Sequence, residues 1–228
     1  MKTALVTGAN KGIGFEVVKQ LLNLKYKVIL SARNEKNGLL ALQELTEFNN
    51  HVDFLQMDVS DEENIKIGAS KLQKQGCKLD VLVNNAAILI DNDNIHSMSS
   101  EIFMKTLRTN TLGPILVIQN FLELLKDGSK IINVSSGWGS INDMSDSPPA
   151  YSISKAALNA VTKQFAATLL SRRIAVNSVS PGWVKTDMGG ADAARSVEKG
   201  AETIIWLCET AQENITGKFL RDKMEIAW

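Results

Sequence analysis

The chain has 228 residues, 44% of them hydrophobic and 22% charged, with 25 basic and 25 acidic side chains that cancel to a formal net charge of zero. That balance is the composition of a globular α/β protein long enough to bury one large core, and it excludes disordered and collagen-like classes. It also gives no electrostatic reason to expect nucleic acid or an anionic membrane as a partner.

The two cysteines, Cys77 and Cys208, and the two histidines, His51 and His96, have no metal-ligand or disulfide-framework spacing. No metal is therefore expected. The first apolar run is too short for a signal peptide, and no run reaches the ~18 apolar residues of a membrane span. A reducing cytoplasm is the expected location.

Short apolar runs alternate with helical patterns along the whole chain. Ala4, Leu5 and Val6 form a first strand, followed by a glycine loop and a helix over 13–24. Val28 to Leu30 gives a second strand, and the next helix is expected over 39–48. A third strand runs over 52–57, and Ser60, Asp61, Glu62 and Glu63 read as a capping box opening a third helix. Val81 to Val83 is a fourth strand. Ser99 or Ser100 caps a helix carrying Ile102, Phe103 and Leu107, and a second apolar stretch covers 115–125. Ile131 to Val134 is the fifth strand, a long helix is expected over 151–170, and the sixth strand lies over 175–179. Ser196 caps a helix through Ile204 and Leu207, and 217–220 forms a last strand.

The strands are apolar throughout rather than alternating, which suits a parallel sheet covered on both faces. The expectation is α/β: one doubly wound Rossmann-type domain over residues 1–228, with about seven parallel strands flanked by helices. The segments 135–150 and 183–195 read as loops at strand ends, where ligands sit in open α/β sheets.

Four features carry chemistry. Thr7-Gly8-Ala9-Asn10-Lys11-Gly12-Ile13-Gly14 lies between the first strand and the first helix, where glycines admit a phosphate to free helix N–H groups. Its spacing matches neither the common dinucleotide fingerprint nor a P-loop. After the second strand, where a ribose-binding acid is often found, the chain has Arg33. With Lys11 it favours a 2′-phosphate, and hence NADP(H). Tyr151 and Lys155 share a helix face, and an ammonium there is expected to lower the phenol pKa toward the working range. Ser135 and Ser136 end the fifth strand, either of them placed to bond a substrate oxygen. Asn110, in a helical stretch, implies a kink or a buried hydrogen bond.

Together with Asp58-Val59, Asn84-Asn85-Ala86-Ala87 and Pro181-Gly182, these motifs resemble the short-chain dehydrogenase/reductase family across nearly the whole chain. The stretches GANKGIG and SPGWVKTDM look most like its carbonyl-reductase branch. The resemblance implies an NADP(H)-dependent oxidoreductase that moves a hydride between the nicotinamide and a small carbonyl or alcohol. It makes Tyr151 the general acid or base and gives Lys155 the tasks of lowering the Tyr151 pKa and binding the nicotinamide ribose. Ser136 becomes the holder of the substrate oxygen, and Asn110 the holder of a water linked to Lys155. It assigns cofactor contacts to Gly8, Asn10, Lys11, Gly12, Ile13, Gly14, Arg33, Asp58, Val59, Asn85, Pro181, Gly182, Val184 and Thr186, besides Tyr151 and Lys155. It implies a homodimer or homotetramer.

Two departures stand out. Ala87 replaces the family's usual glycine, a strain of about 1 kcal/mol if that residue needs a positive φ. Ser136 and Tyr151 are two positions farther apart than is commonest, with the extra residues expected in the loop over 142–149. Trp138, Ile141, Met144 and Trp183 line a substrate pocket or pack elsewhere, and 188–196 reads as a small polar lid. A non-catalytic NADP(H) sensor on the same fold is the competing reading. A sugar epimerase is disfavoured, because fewer than 50 residues follow Gly182.

Overall fold

The computed structural model describes residues 1–48, 50–91, 94–146, 148–209 and 215–228. Its centre is an eight-stranded sheet in the order β3-β2-β1-β4-β5-β6-β7-β8. The strands are β1 (Thr3–Val6), β2 (Lys27–Ala32), β3 (Val52–Gln56), β4 (Leu79–Asn84), β5 (Leu125–Val134), β6 (Ala175–Val179), β7 (Phe219–Arg221) and β8 (Met224–Glu225). Seven run parallel, and only β8 pairs antiparallel, with β7.

The helices are α1 (Gly12–Asn23), α2 (Glu35–Gln43), α3 (Glu62–Lys74), α4 (Ser100–Leu107), α5 (Gly113–Phe121), α6 (Pro149–Thr168) and α7 (Val197–Glu209). Alternate strand residues feed two cores. Val6, Leu30, Val83 and Ile132 pack with residues of α1 and α7, whereas Leu5, Ile29, Leu82 and Val176 pack with residues of α3 and α5. Burial on both faces is why the strand sequences show no polar alternation.

The chain leaves β1 toward β2 and β3, then returns through β4 on the other side of β1. The order therefore reverses between β1 and β4, and a crevice opens beyond their C-terminal ends. The glycine loop, the segment after Asn84, the loop after Val134 and the loop after Val179 all leave the sheet at this edge.

Several local expectations shift. α2 starts four residues before the expected 39, because the Asn34 side chain accepts a hydrogen bond from the Asn37 N–H at 2.9 Å and caps it there. Its buried residues are Gly38 and Ala41, so Leu39 and Leu40 are exposed and the apolar pattern misleads. Only a 3-10 turn, Thr46–Phe48, fills the rest of the expected helix.

Asp61, not Ser60, caps α3 by accepting from the Glu63 and Asn64 N–H groups at 3.0 and 3.2 Å. β5 begins at Leu125, six residues ahead of the expected 131, and breaks register after pairing Leu79 with Leu125. The β7–β8 hairpin was not expected. Asp222 and Lys223 both have positive φ, at 52° and 65°, in a turn without the glycine that usually marks one.

Candidate active site

Tyr151 lies in the first turn of α6, and Lys155 lies one turn later on the same face. Burial leaves them 7% and 2% exposed. The Lys155 Nζ donates to the carbonyl of Val134, the last residue of β5, at 2.8 Å and stands 5.5 Å from the centre of the Tyr151 ring. The next residues turn the chain under α6. Ser135 donates its hydroxyl to the Lys155 carbonyl at 3.4 Å, and Asn159 donates to the Gly139 carbonyl at 3.1 Å.

The Ser136 side chain stands close enough to the Tyr151 phenol to pull its pKa down. One lone pair of its Oγ already accepts the Trp138 N–H at 3.2 Å, so its own O–H is free to donate. Between the two serines left open by the sequence, Ser136 is thus the one beside the phenol. The Trp138 ring meets the Tyr151 ring edge-on at 6.1 Å.

The electrostatics differ from the expectation. Burial raises the Tyr151 pKa to about 12, with Ser136 acting in the opposite, smaller sense. Burial alone lowers Lys155 to about 7. The expected lowering of the phenol by its ammonium neighbour is therefore corrected: desolvation dominates both groups, because each is shut away from water.

Asn110 is fully buried in a π-helical turn, Arg108–Leu112, between α4 and α5. Of the kink or buried hydrogen bond suggested by the sequence, the buried hydrogen bond is present, within a π-helical turn. Its Oδ1 accepts from the Ile88 N–H at 2.8 Å, and its Nδ2 donates to the Ile88 carbonyl at 2.8 Å and to Ser154 Oγ at 3.0 Å. Ser154 in turn donates to the Tyr151 carbonyl at 2.7 Å. Both amide protons of Asn110 are engaged by protein, so its side chain ties α6 to the segment after β4.

On the other side of the crevice, Gly8 adopts φ +61°, and a Cβ there would lie 2.7 Å from the Ala86 Cα. A Cβ on Gly14 would meet the Asn85 amide at 2.4 Å. That amide donates to the Thr7 and Gly8 carbonyls, both at 3.0 Å, and the Thr7 hydroxyl accepts from the Asn85 and Ala86 N–H groups. Asn85 thus clamps the glycine loop to the segment after β4. Ala87 is not among the residues with positive φ, so the expected strain at that position is absent.

α1 begins at Gly12 with no side-chain cap from Lys11 and no acid in its first turn. A helix N-terminus with uncapped N–H groups and no negative side chain is matched to an anionic phosphate, so this donor set fits a dinucleotide. Asn10 and Ile13 flank it, with Ile13 packed against the core. Arg33 is exposed just beyond β2 and forms no ion pair among the described residues.

Lys11, expected at a phosphate, lies at the mouth of the crevice. Its ammonium pairs with Asp187 at 2.5 Å, across the crevice mouth, and holds that carboxyl below its usual pKa. Asp187 lies 176 residues from Lys11, and no local pattern points to the pairing. Asp58 ends the β3 region and accepts from the Ser60 N–H at 2.9 Å and hydroxyl at 2.7 Å, while Val59 is buried with its carbonyl against Gly113.

Beyond β6, Pro181 and Gly182 lead to Val184, which is buried and bridges to Arg195. Thr186 accepts from the Gly189 N–H at 3.1 Å and faces Gly12. The expected lid is thus folded back on its own backbone, with Gly190 N–H donating to the Thr186 carbonyl at 2.8 Å. Trp138, Ile141, Met144 and Trp183 are all exposed, so none of them is core. The loop expected to absorb the two extra residues, 142–149, includes position 147, which lies outside the described residues.

The whole chain has close counterparts. Residues 2–196 match the short chain dehydrogenase family model. Carbonyl reductase [NADPH] 1 of Sus scrofa is 32% identical over an alignment covering 100% of this chain and 94% of the pig protein. Carbonyl reductase Sniffer of D. melanogaster superposes with a TM-score of 0.91 at 32% identity, covering all of both chains. The NADPH-bound carbonyl reductase from chicken fatty liver gives 0.91 at 31% identity, covering 100% of this chain and 99% of that one.

Gly8→Ala tests the loop geometry. The left-handed backbone alone costs about 1–2 kcal/mol, and the contact with the Ala86 backbone adds to it. Urea unfolding should show at least that loss, and an unchanged midpoint would contradict the described loop. With motif order, fold and full-length similarity in agreement, the chain belongs to the short-chain dehydrogenase/reductase family, in its carbonyl-reductase branch.

Proposed function

We propose that the protein is an NADP(H)-dependent oxidoreductase acting on a small carbonyl or alcohol, with Tyr151 as the proton donor in reduction. The observation that carries this reading is the buried Tyr151 phenol with the Lys155 ammonium 5.5 Å from its ring and Ser136 alongside, at the same edge of the sheet as the glycine loop. A sensor has no chemical use for that arrangement. The relatives named for NADPH and the NADPH-bound solved neighbour support the coenzyme assignment.

NADPH, when bound, supplies the hydride. The residues that would hold it are Gly8, Asn10, Gly12, Ile13 and Gly14 at the phosphates, Asp58 and Val59 at the adenine, Asn85 along the cleft, and Pro181, Gly182, Val184 and Thr186 at the nicotinamide end. Arg33 would take the 2′-phosphate, joined by Lys11 once it leaves Asp187.

Ser136 donates its O–H to the substrate oxygen and orients it. Tyr151 donates its proton to that oxygen as negative charge develops there, which a phenol with a pKa near 12 can do throughout the neutral range because it stays protonated. The resulting phenolate is stabilised by the ammonium of Lys155 when that group is protonated. Asn110 keeps the first turns of α6 in place through Ser154. The exposed apolar side chains Trp138, Met144 and Trp183 give the substrate an apolar border.

Assembly as a homodimer or homotetramer is part of the same proposal, supported by the exposed Met104 on α4 and Leu112 beside α5.

Tyr151→Phe should abolish NADPH oxidation against a panel of aldehydes, ketones and quinones while leaving NADPH affinity nearly unchanged. Turnover retained by that variant would remove the proposed acid. Arg33→Asp should weaken NADPH far more than NADH, read from paired KM values, and equal losses would contradict the 2′-phosphate assignment.

The pH dependence of reduction follows from Lys155. With its pKa lowered to about 7, it is protonated on the acid side and loses its proton as pH rises through that value. Carbonyl-reduction kcat/KM should therefore fall across that step, while Tyr151 remains protonated. A profile that rises with pH there would contradict the assigned roles.

A further inference from the structure

The N-terminus of α6 lacks a cap of its own. Its cap position is Pro148, which has no side-chain acceptor, and its first residue is Pro149, which has no N–H. The Ser152 N–H is already bonded to the Pro148 carbonyl at 3.0 Å. The N–H groups of Ala150 and Tyr151 are left over, and both are buried. Such orphan donors need an acceptor from elsewhere.

That acceptor is Asp91, from the segment after β4. One carboxylate oxygen, Oδ2, accepts from the Ala150 N–H at 2.8 Å and from the Tyr151 N–H at 3.3 Å. The side chain is 1% exposed, and its Oδ1 has no hydrogen-bond partner among the described residues. A carboxylate buried this deeply is tolerated because the positive end of α6 and two N–H groups face it.

The geometry points to Asp91 as a positioning residue for Tyr151, a role that rests on the reading of Tyr151 as the proton donor. The segment that carries Asp91 is fixed along its length, by Asn85 on the glycine loop and by Ile88 on Asn110. It runs from the proposed coenzyme side of the crevice to the backbone of the phenol-bearing residue. Later turns of α6 have anchors of their own, through Lys155 on Val134 and Asn159 on Gly139. Asp91 is the acceptor for the N–H groups of the first turn, whereas the Asn110–Ser154 link reaches only the Tyr151 carbonyl. Its loss frays that turn and shifts the phenol while the rest of the helix stays docked.

The test compares Asp91→Ala with Asp91→Asn, whose amide oxygen still accepts. Both are measured for kcat on a carbonyl substrate turned over by wild type, for NADPH Kd by fluorescence, and for thermal unfolding. Asp91→Ala should lower kcat about 10- to 100-fold, the scale of an ångström-sized misplacement. Its NADPH Kd should stay within about twofold, and Asp91→Asn should recover kcat to within about fivefold of wild type. If Asp91→Ala does not fold, Asp91→Ser replaces it under the same expectation. The proposal is overturned by wild-type kcat in the Ala or Ser variant well below its unfolding temperature. It is equally overturned if Asp91→Asn is as slow as Asp91→Ala, or if NADPH affinity falls in parallel with kcat. Tyr151→Phe run alongside separates the two layers. An active Tyr151→Phe means that the proton-donor reading fails, whereas an inactive one beside a fast Asp91→Ala means that only the positioning role fails.

Discussion

A buried ammonium donating to the carbonyl of the last residue of a central strand fixes the longest helix of this protein against its sheet. Lys155 sits 2% exposed with its Nζ on the Val134 carbonyl. Burying a cation is costly, and the cost appears as a pKa lowered to about 7. Side by side with it, the same desolvation holds the Tyr151 phenol in its protonated form. One physical cause therefore sets both groups: the exclusion of water at the junction of β5 and α6. The phenol is kept as an acid, and the ammonium is close enough to neutral that small changes in its surroundings alter its charge.

That junction is reinforced from inside the sheet. Asn84 on β4 donates to Asn133 on β5 at 2.9 Å, Asn133 donates to Thr162 on α6 at 2.9 Å, and Thr162 meets Ser178 on β6 at 2.7 Å. This polar chain crosses an otherwise apolar core and sets the rotation of α6 about its axis, which an apolar interface alone specifies less tightly. Asn110 and Ser154 make a second, separate connection to the Tyr151 backbone. The crevice is thus built from rigid parts on the α6 side, while its outer edge is closed by an exposed ion pair, Lys11 with Asp187, of the kind that contributes little to stability.

Much of this could be read in the sequence. Apolar strand runs gave a parallel sheet, glycines after the first strand gave the loop, and Tyr151 and Lys155 four residues apart gave a shared face. Residues whose partners are distant in the chain could not be read. Asp187 looks like any surface acid until the fold brings Lys11 to it, and Asp91 shows no local pattern that pairs it with Tyr151. The Asp222–Lys223 turn lacks glycine, so its hairpin carried no signal. The direction of the Tyr151 pKa shift was also illegible, because spacing shows which charges are near but not how much water is excluded.

The most direct measurement is a crystal structure of the protein with NADPH and an unreactive carbonyl analogue. The account predicts the Tyr151 and Ser136 hydroxyls both within hydrogen-bonding distance of the analogue's oxygen, with the Lys155 ammonium beneath the phenol. A Tyr151 ring turned away from the coenzyme, or an analogue oxygen bound by other groups, would contradict it.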